Sequence, residues 1–288
     1  MSEYVIFADS ACDIKRSVLQ EWGVPFESLT YKFENDERVY FNDEIPTQEF
    51  YAKMKAGGVA KTAAVNPDTF MATFEEAFKE GKDVLYLGFS SGLSTTYNSA
   101  RIALNELGEK YPDRKSIAVD TLAASAGIGV LIYLALKKQK SGATIEQTAE
   151  YIESIKLNLC HWFTVDDLVY LKRGGRVSPA AAFFGNMIGI KPVLHVDNEG
   201  HLVPVSKVRG RRTSITAMAD KYGELALDKE GGIVYISHAD CEKDAQELAN
   251  ILNERYGAKV SIITDVGPVI GAHSGPGTIA LFFLGSER

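Results

Sequence analysis

The chain has 288 residues, 45% of them hydrophobic and 24% charged, with a formal net charge of −7. This length and composition predict a globular protein of two domains with sizeable apolar cores. The acidic balance argues against a general nucleic-acid binder, which needs a basic surface to neutralise phosphates.

The opening segment Met1–Ala8 lacks the basic region and long apolar stretch of a signal peptide. Tyr4–Ala8 reads as a strand, Ile14–Trp22 as a helix stopped at Gly23, and Val24–Phe33 as extended chain. Thr47–Ala56 and Pro67–Lys79 read as helices opening on the cap-like residues Thr47 and Asn66. A strand over Val84–Gly88, a helix to about Glu109, a strand over Ser116–Val119 and a long helix from Ala123 follow. The longest apolar segment, Leu122 to Leu136, is too short to span a bilayer and reads as a buried helix. Thr144–Leu157 is a further amphipathic helix. This alternation predicts a parallel sheet covered by helices over residues 1–157.

From about Asn158 the texture changes. His161–Val165, Ile188–Val196, His201–Lys207, Gly232–Ser237 and Val260–Thr264 read as strands, with helices near Thr213–Leu227 and Cys241–Tyr256. Asp197-Asn198-Glu199-Gly200 reads as a hairpin turn. Residues 158–288 are therefore expected to form a second α/β domain with a mixed sheet. Cys12, Cys160 and Cys241 are far apart and form no C-x-x-C pair, which suits a reducing compartment and offers no zinc site. A cytoplasmic protein without stable membrane insertion is expected.

The chemistry concentrates at five places. Ser90–Ala100 crowds six Ser and Thr residues onto a strand-to-helix turn. Such a turn lies at the carboxyl end of a parallel sheet, where free N–H groups and hydroxyls make a socket for an anionic oxygen. A lone Ser94 or Thr95 would read as a helix cap, but the density of hydroxyls points to a ligand. Thr62, just before the Asn66-Pro67 helix start, is a candidate second donor. Asp9 and Asp13 stand at the end of the first strand, as helix-capping groups or as a nucleophile or metal ligand. Lys172, Arg173 and Arg176 surround Gly174 and Gly175, and Lys207–Arg212, including Arg209, repeats the basic theme. Two such patches in an acidic protein mark a docking face. His273 is set in the glycine-rich Gly267–Gly277, where it can donate to a carboxylate or act as an acid. Between the basic patches, Phe183, Phe184, Met187 and Ile188 are either core or the lining of an apolar channel.

Asp9-Ser10-x-x-Asp13, Ser90–Ala100, Asp167–Arg176, Ile190-Lys191-Pro192 and His273-x-Gly275-Pro276-Gly277 together resemble the DegV family over essentially the whole chain. These are bacterial fatty-acid-binding proteins that present acyl chains to a fatty-acid kinase for phospholipid metabolism. The resemblance implies a Rossmann-like N-terminal domain joined to an α/β lipid-binding domain. It implies a long-chain fatty acid as ligand, its carboxylate held by Thr62, Ser94 and His273, with Thr95, Ser274 and Gly275 beside them. The kinase-facing arginine matches the Lys172–Arg176 loop, best at Arg173. The chain departs from the family at Ala63 and Ala64, where Ser-Gln is common, and at Thr95, where Gly is common.

On this reading the protein is a carrier with no cofactor, metal or catalytic residue. The chain lacks a G-x-x-x-x-G-K-[ST] loop and an evident Mg²⁺-binding carboxylate pair. The rival is a serine acyl-ester hydrolase with Ser94 as nucleophile, His273 as base and Asp9 or Asp13 as orienter. Against it, Ser94 is not in a G-x-S-x-G elbow.

Overall fold

The computed structural model describes residues 3–177 and 189–288. The chain opens with β1 (Tyr4–Asp9), α1 (Arg16–Trp22), β2 (Phe26–Glu27), β3 (Thr30–Phe33) and β4 (Tyr40–Phe41). It continues with α2 (Thr47–Lys55), β5 (Ala60–Ala63), α3 (Pro67–Lys79), β6 (Asp83–Gly88), α4 (Thr96–Lys110) and β7 (Ser116–Asp120). Strands β2-β1-β6-β7 form a four-stranded sheet in which every pairing is parallel, as the strand–helix alternation predicts. β6 is buried along its whole length, which is why it reads as an unbroken apolar run. A separate three-stranded antiparallel sheet, β4-β3-β5, carries Thr62.

Local chemistry sets several boundaries. Asn66 caps α3 by accepting from the Thr69 N–H at 2.9 Å, and Pro67 occupies the first turn. The capping box of Thr144 and Gln147 opens α6 (Ile145–Ile155).

The second half contributes β8 (Leu159–Thr164), α7 (Val169–Gly174), β9 (Ile190–Val196), β10 (Leu202–Arg209) and α8 (Arg211–Leu225). β11 (Val234–His238), α9 (Glu242–Tyr256), β12 (Val260–Asp265), α10 (Pro268–Ser274) and β13 (Ile279–Leu284) complete the chain. Its six strands form one mixed sheet in the order β10-β9-β8-β13-β11-β12, with β11 and β12 parallel and the other pairs antiparallel.

Between the two large sheets lies α5 (Ala126–Lys140), which packs on β1 and β6 and also on β11 and β13. A helix covered on opposite sides needs apolar residues nearly all round, which explains the Leu122–Leu136 composition. Gly127 faces His161 and Phe282, and Gly129 faces Ile14 and Tyr235. The largest apolar cluster accordingly draws residues from both halves, Leu87 and Ala126 meeting Phe163 and Phe282.

Several segments differ from the sequence reading, the short strands β4 and β5 among them. β13, at the centre of the mixed sheet, has no polar alternation to announce it because both faces are covered. The basic segment expected as a loop contains α7, and the glycine-rich turn expected around His273 contains α10, with Pro268 in its first turn.

Candidate functional site

A cavity of about 90 Å³ lies among α10, the β6–α4 turn, β5 and the inner face of the mixed sheet. Thr62 enters it from β5, Ser94 from the β6–α4 turn, His273 and Ser274 from α10, and Arg176 from just beyond α7. Beyond these polar groups the lining is mainly apolar, including Leu93, Phe163, Val196, Leu202, Ala280 and Phe282. The geometry therefore suits an amphiphile: one polar mouth and a greasy interior.

At the mouth, Thr62 Oγ1 and His273 Nε2 are hydrogen-bonded at 2.8 Å. His273 Nδ1 is buried and has no hydrogen-bond partner among the described residues. A proton there would be a buried donor without an acceptor, so the proton is assigned to Nε2, which donates to Thr62. That leaves the Thr62 hydroxyl hydrogen free to point at a ligand oxygen. Burial, reinforced by the Arg176 cation, lowers the His273 pKa to about 4, so the ring is neutral at pH 7. Ser94 Oγ accepts from the Thr96 N–H at 3.2 Å and lies 2.9 Å from the Thr96 hydroxyl. The Ser274 hydroxyl is buried and likewise lacks a partner among the described residues.

Two glycines make this arrangement possible. A Cβ on Gly174 would collide with His273 Nδ1, so α7 can approach α10 only because residue 174 has no side chain. Gly275, at φ 81°, ends α10 in a conformation that favours glycine, and a Cβ there would meet the Tyr170 ring.

Of the expected carboxylate-binding residues, the structure gathers Thr62, Ser94, His273 and Ser274 around the cavity. Thr95 is exposed and outside the lining, while Gly275 serves the backbone turn behind His273. Among the other hydroxyls, Ser90 is buried and bonds the Gly200 carbonyl at 3.0 Å, tying the turn to the β9–β10 hairpin. Arg176, expected on a docking surface, is exposed and also lines the cavity, with Nε donating to the Leu93 carbonyl at 3.2 Å. Its position beside His273 depends on how α7 meets α10, which no local pattern reveals. Lys172, Arg173 and Arg209 are exposed and lie outside the lining. Arg173 sits over the Tyr170 ring at 5.7 Å. The second basic patch is partly neutralised: Arg211 pairs with Asp244 at 2.9 Å, and Arg212 pairs with Glu247 at 3.3 Å. Phe183, Phe184, Met187 and Ile188 lie outside the described residues. His161, which no sequence argument singled out for the ligand, lines the cavity from β8.

Asp9 and Asp13 have structural tasks. Asp9 is buried and accepts from the Tyr86 hydroxyl at 2.6 Å and the Phe89 N–H at 2.9 Å. Asp13 accepts from the Ser125 hydroxyl at 2.6 Å and the Gly267 N–H at 2.9 Å. Neither orients His273, whose Nε2 serves Thr62, so the triad required by the hydrolase reading is not assembled. Among the described residues no group of three or more His, Cys, Asp or Glu is placed to hold a metal ion. No helix among them is long and apolar enough to cross a membrane.

A parallel sheet and a mixed sheet enclosing a mainly apolar cavity with polar groups at one side define a mixed α/β fold. Residues 3–286 match the DegV family, described as a family of uncharacterised proteins, and the chain belongs to that family. It is 40% identical over 289 residues to a DegV domain-containing protein of Clostridium perfringens, covering 100% of this chain and 99% of the relative. A DegV lipid-binding protein of Thermotoga maritima superposes with a TM-score of 0.88 at 32% identity, covering 99% of both chains. A second Thermotoga maritima protein, whose structure revealed a fatty-acid-binding function, gives a TM-score of 0.86 at 30% identity. That match covers 99% of this chain and 100% of the other.

Proposed function

We propose that this protein binds a long-chain fatty acid, with the carboxylate at the Thr62–Ser94–His273–Arg176 mouth and the tail along the inner face of the mixed sheet. The observation that carries this reading is the cavity itself, which joins hydrogen-bonding groups and a cation to an apolar interior. Fatty-acid binding by the similar Thermotoga maritima protein supports it.

The energetics fit. Burying an acyl chain contributes ~0.8 kcal/mol per CH₂, on the order of 10 kcal/mol for a long chain before association costs. A buried carboxylate must be fully hydrogen-bonded to avoid a penalty of several kcal/mol. The Thr62 and Ser94 hydroxyls and the Arg176 guanidinium supply donors, while neutral His273 polarises Thr62 through their shared hydrogen bond.

The protein in this proposal is a carrier in the cytoplasm that performs no chemistry on its ligand. It presents the carboxylate to a fatty-acid kinase, which makes the acyl phosphate for phospholipid metabolism. Exposed Lys172, Arg173 and Arg209 provide charge for docking the kinase. Residues 1–157 and 158–288 form its two domains, the acyl chain lying where the second meets α5.

Solvent extraction of the purified protein followed by lipid mass spectrometry tests the carrier. A free fatty acid near one equivalent is expected. Ester turnover abolished by Ser94→Ala, with no retained fatty acid, would support the hydrolase.

A further inference from the structure

The acyl cavity has a direction. Thr278, Ala280 and Phe282 all line it, and alternate residues of a strand share one face. At ~3.4 Å per residue they lead ~14 Å away from α10 and the polar mouth. On the neighbouring strand Phe163 pairs with Ala280 and His161 pairs with Phe282. His161 therefore stands at the end of the cavity remote from Thr62 and His273.

A histidine is an odd residue for that place. Its ring is 2% exposed and meets Phe282 edge-on, with centroids 5.3 Å apart. Nδ1 lies 3.1 Å from the Leu159 carbonyl, an acceptor only, so Nδ1 carries the proton and donates. Nε2 is then a bare acceptor, buried and without a hydrogen-bond partner among the described residues. Arg288 fixes the same corner from behind: its Nε also donates to the Leu159 carbonyl, at 3.2 Å. Burial, and secondarily the Arg288 charge, hold the ring neutral. On the facing helix Gly127 has no side chain, and a Cβ there would collide with Nε2, so α5 can lie against this ring, and His161 can keep its place in the cavity wall, only because residue 127 is glycine.

A buried acceptor left unpaired favours whatever ligand brings it a donor. An unsubstituted hydrocarbon tail brings none, whereas a hydroxyl on the far part of the chain does. We infer that His161 is a specificity-determining residue that selects an acyl chain bearing a hydroxyl toward its methyl end, which donates to Nε2. This rests on the fatty-acid reading and names the class of fatty acid.

The test compares delipidated protein binding octadecanoic acid, its derivative hydroxylated beside the carboxyl, and the positional isomers of that derivative hydroxylated toward the methyl end. Calorimetry or competition with a fluorescent fatty acid reads the affinities. At least one isomer hydroxylated toward the methyl end should bind about tenfold more tightly than octadecanoic acid, and the isomer hydroxylated beside the carboxyl should not. His161→Phe keeps a ring without the acceptor and should abolish the preference while still binding octadecanoic acid. His161→Gln, which retains an acceptor, should keep part of it, and serves if the Phe variant fails to fold. Equal affinity for all isomers, or a preference that survives in His161→Phe, overturns the inference. Failure of every acid to bind overturns the fatty-acid reading itself.

Discussion

Thr62 Oγ1 and His273 Nε2 stand 2.8 Å apart although 211 residues separate them in the chain. The bond joins the small β3–β5 sheet to α10 and fixes two groups at the mouth of the cavity. Replacing Thr62 by Val keeps the shape but removes a donor from the carboxylate and the partner of His273. Fatty-acid affinity should fall by ~1–3 kcal/mol in a calorimetric titration. An unchanged affinity would remove Thr62 from the site.

Gly174→Ala places a methyl group where His273 Nδ1 now lies. The imidazole or α7 must shift, and either movement disturbs the mouth. Fatty-acid binding should weaken about tenfold or more, and the thermal midpoint should also fall. In Gly174→Ala combined with His273→Ala the added loss of affinity should be small, because the colliding partner is gone. Additive losses would show that Gly174 acts elsewhere.

Titration separates two buried groups with opposite signs. His273 is lowered to about 4 from 6.5, so between these values the unfolded chain holds the extra proton and stability falls as pH falls. Buried His161, also lowered, acts in the same direction. Asp13 is raised by burial to about 7 from 3.8, so over nearly the same window the native state holds the proton and stability falls as pH rises. The effects offset in the parent protein. Urea unfolding from pH 4 to 7 should show a steeper loss toward acid in Asp13→Asn and a shallower one in His273→Gln. Parallel profiles for the three proteins would contradict these assignments.

The two arginines flanking Gly174-Gly175 should part company. Arg176→Ala removes a cation from the cavity lining and should lower fatty-acid occupancy. Arg173→Ala alters an exposed residue outside the lining and should leave occupancy intact. It should slow acyl-phosphate formation by an added fatty-acid kinase, less so at high salt. Lost occupancy in Arg173→Ala would reverse the roles.

These residues also mark how far sequence reading reaches. The start of α3 was legible because Asn66 and Pro67 act on their own helix, and the Ser94 turn because a hydroxyl-rich strand-to-helix junction is a local pattern. The family motifs brought Thr62 and His273 together, whereas no periodicity links positions 211 residues apart. Arg176 could not be assigned to the mouth, since its place depends on Gly174 letting α7 touch α10. His161 was hidden for a related reason: it reads as one polar residue in a buried strand until β13 and Gly127 are set around it. Local chemistry was readable, and tertiary approach was not.

The orientation of the ligand is the central claim, and a crystal structure of the protein with a bound long-chain fatty acid measures it directly. The carboxylate should lie within hydrogen-bond distance of Thr62 Oγ1 and Ser94 Oγ, beside Arg176, with the chain running past Phe163 and Ala280 toward Phe282 and His161. A ligand with its methyl end at Thr62, or one bound outside this cavity, would contradict the account.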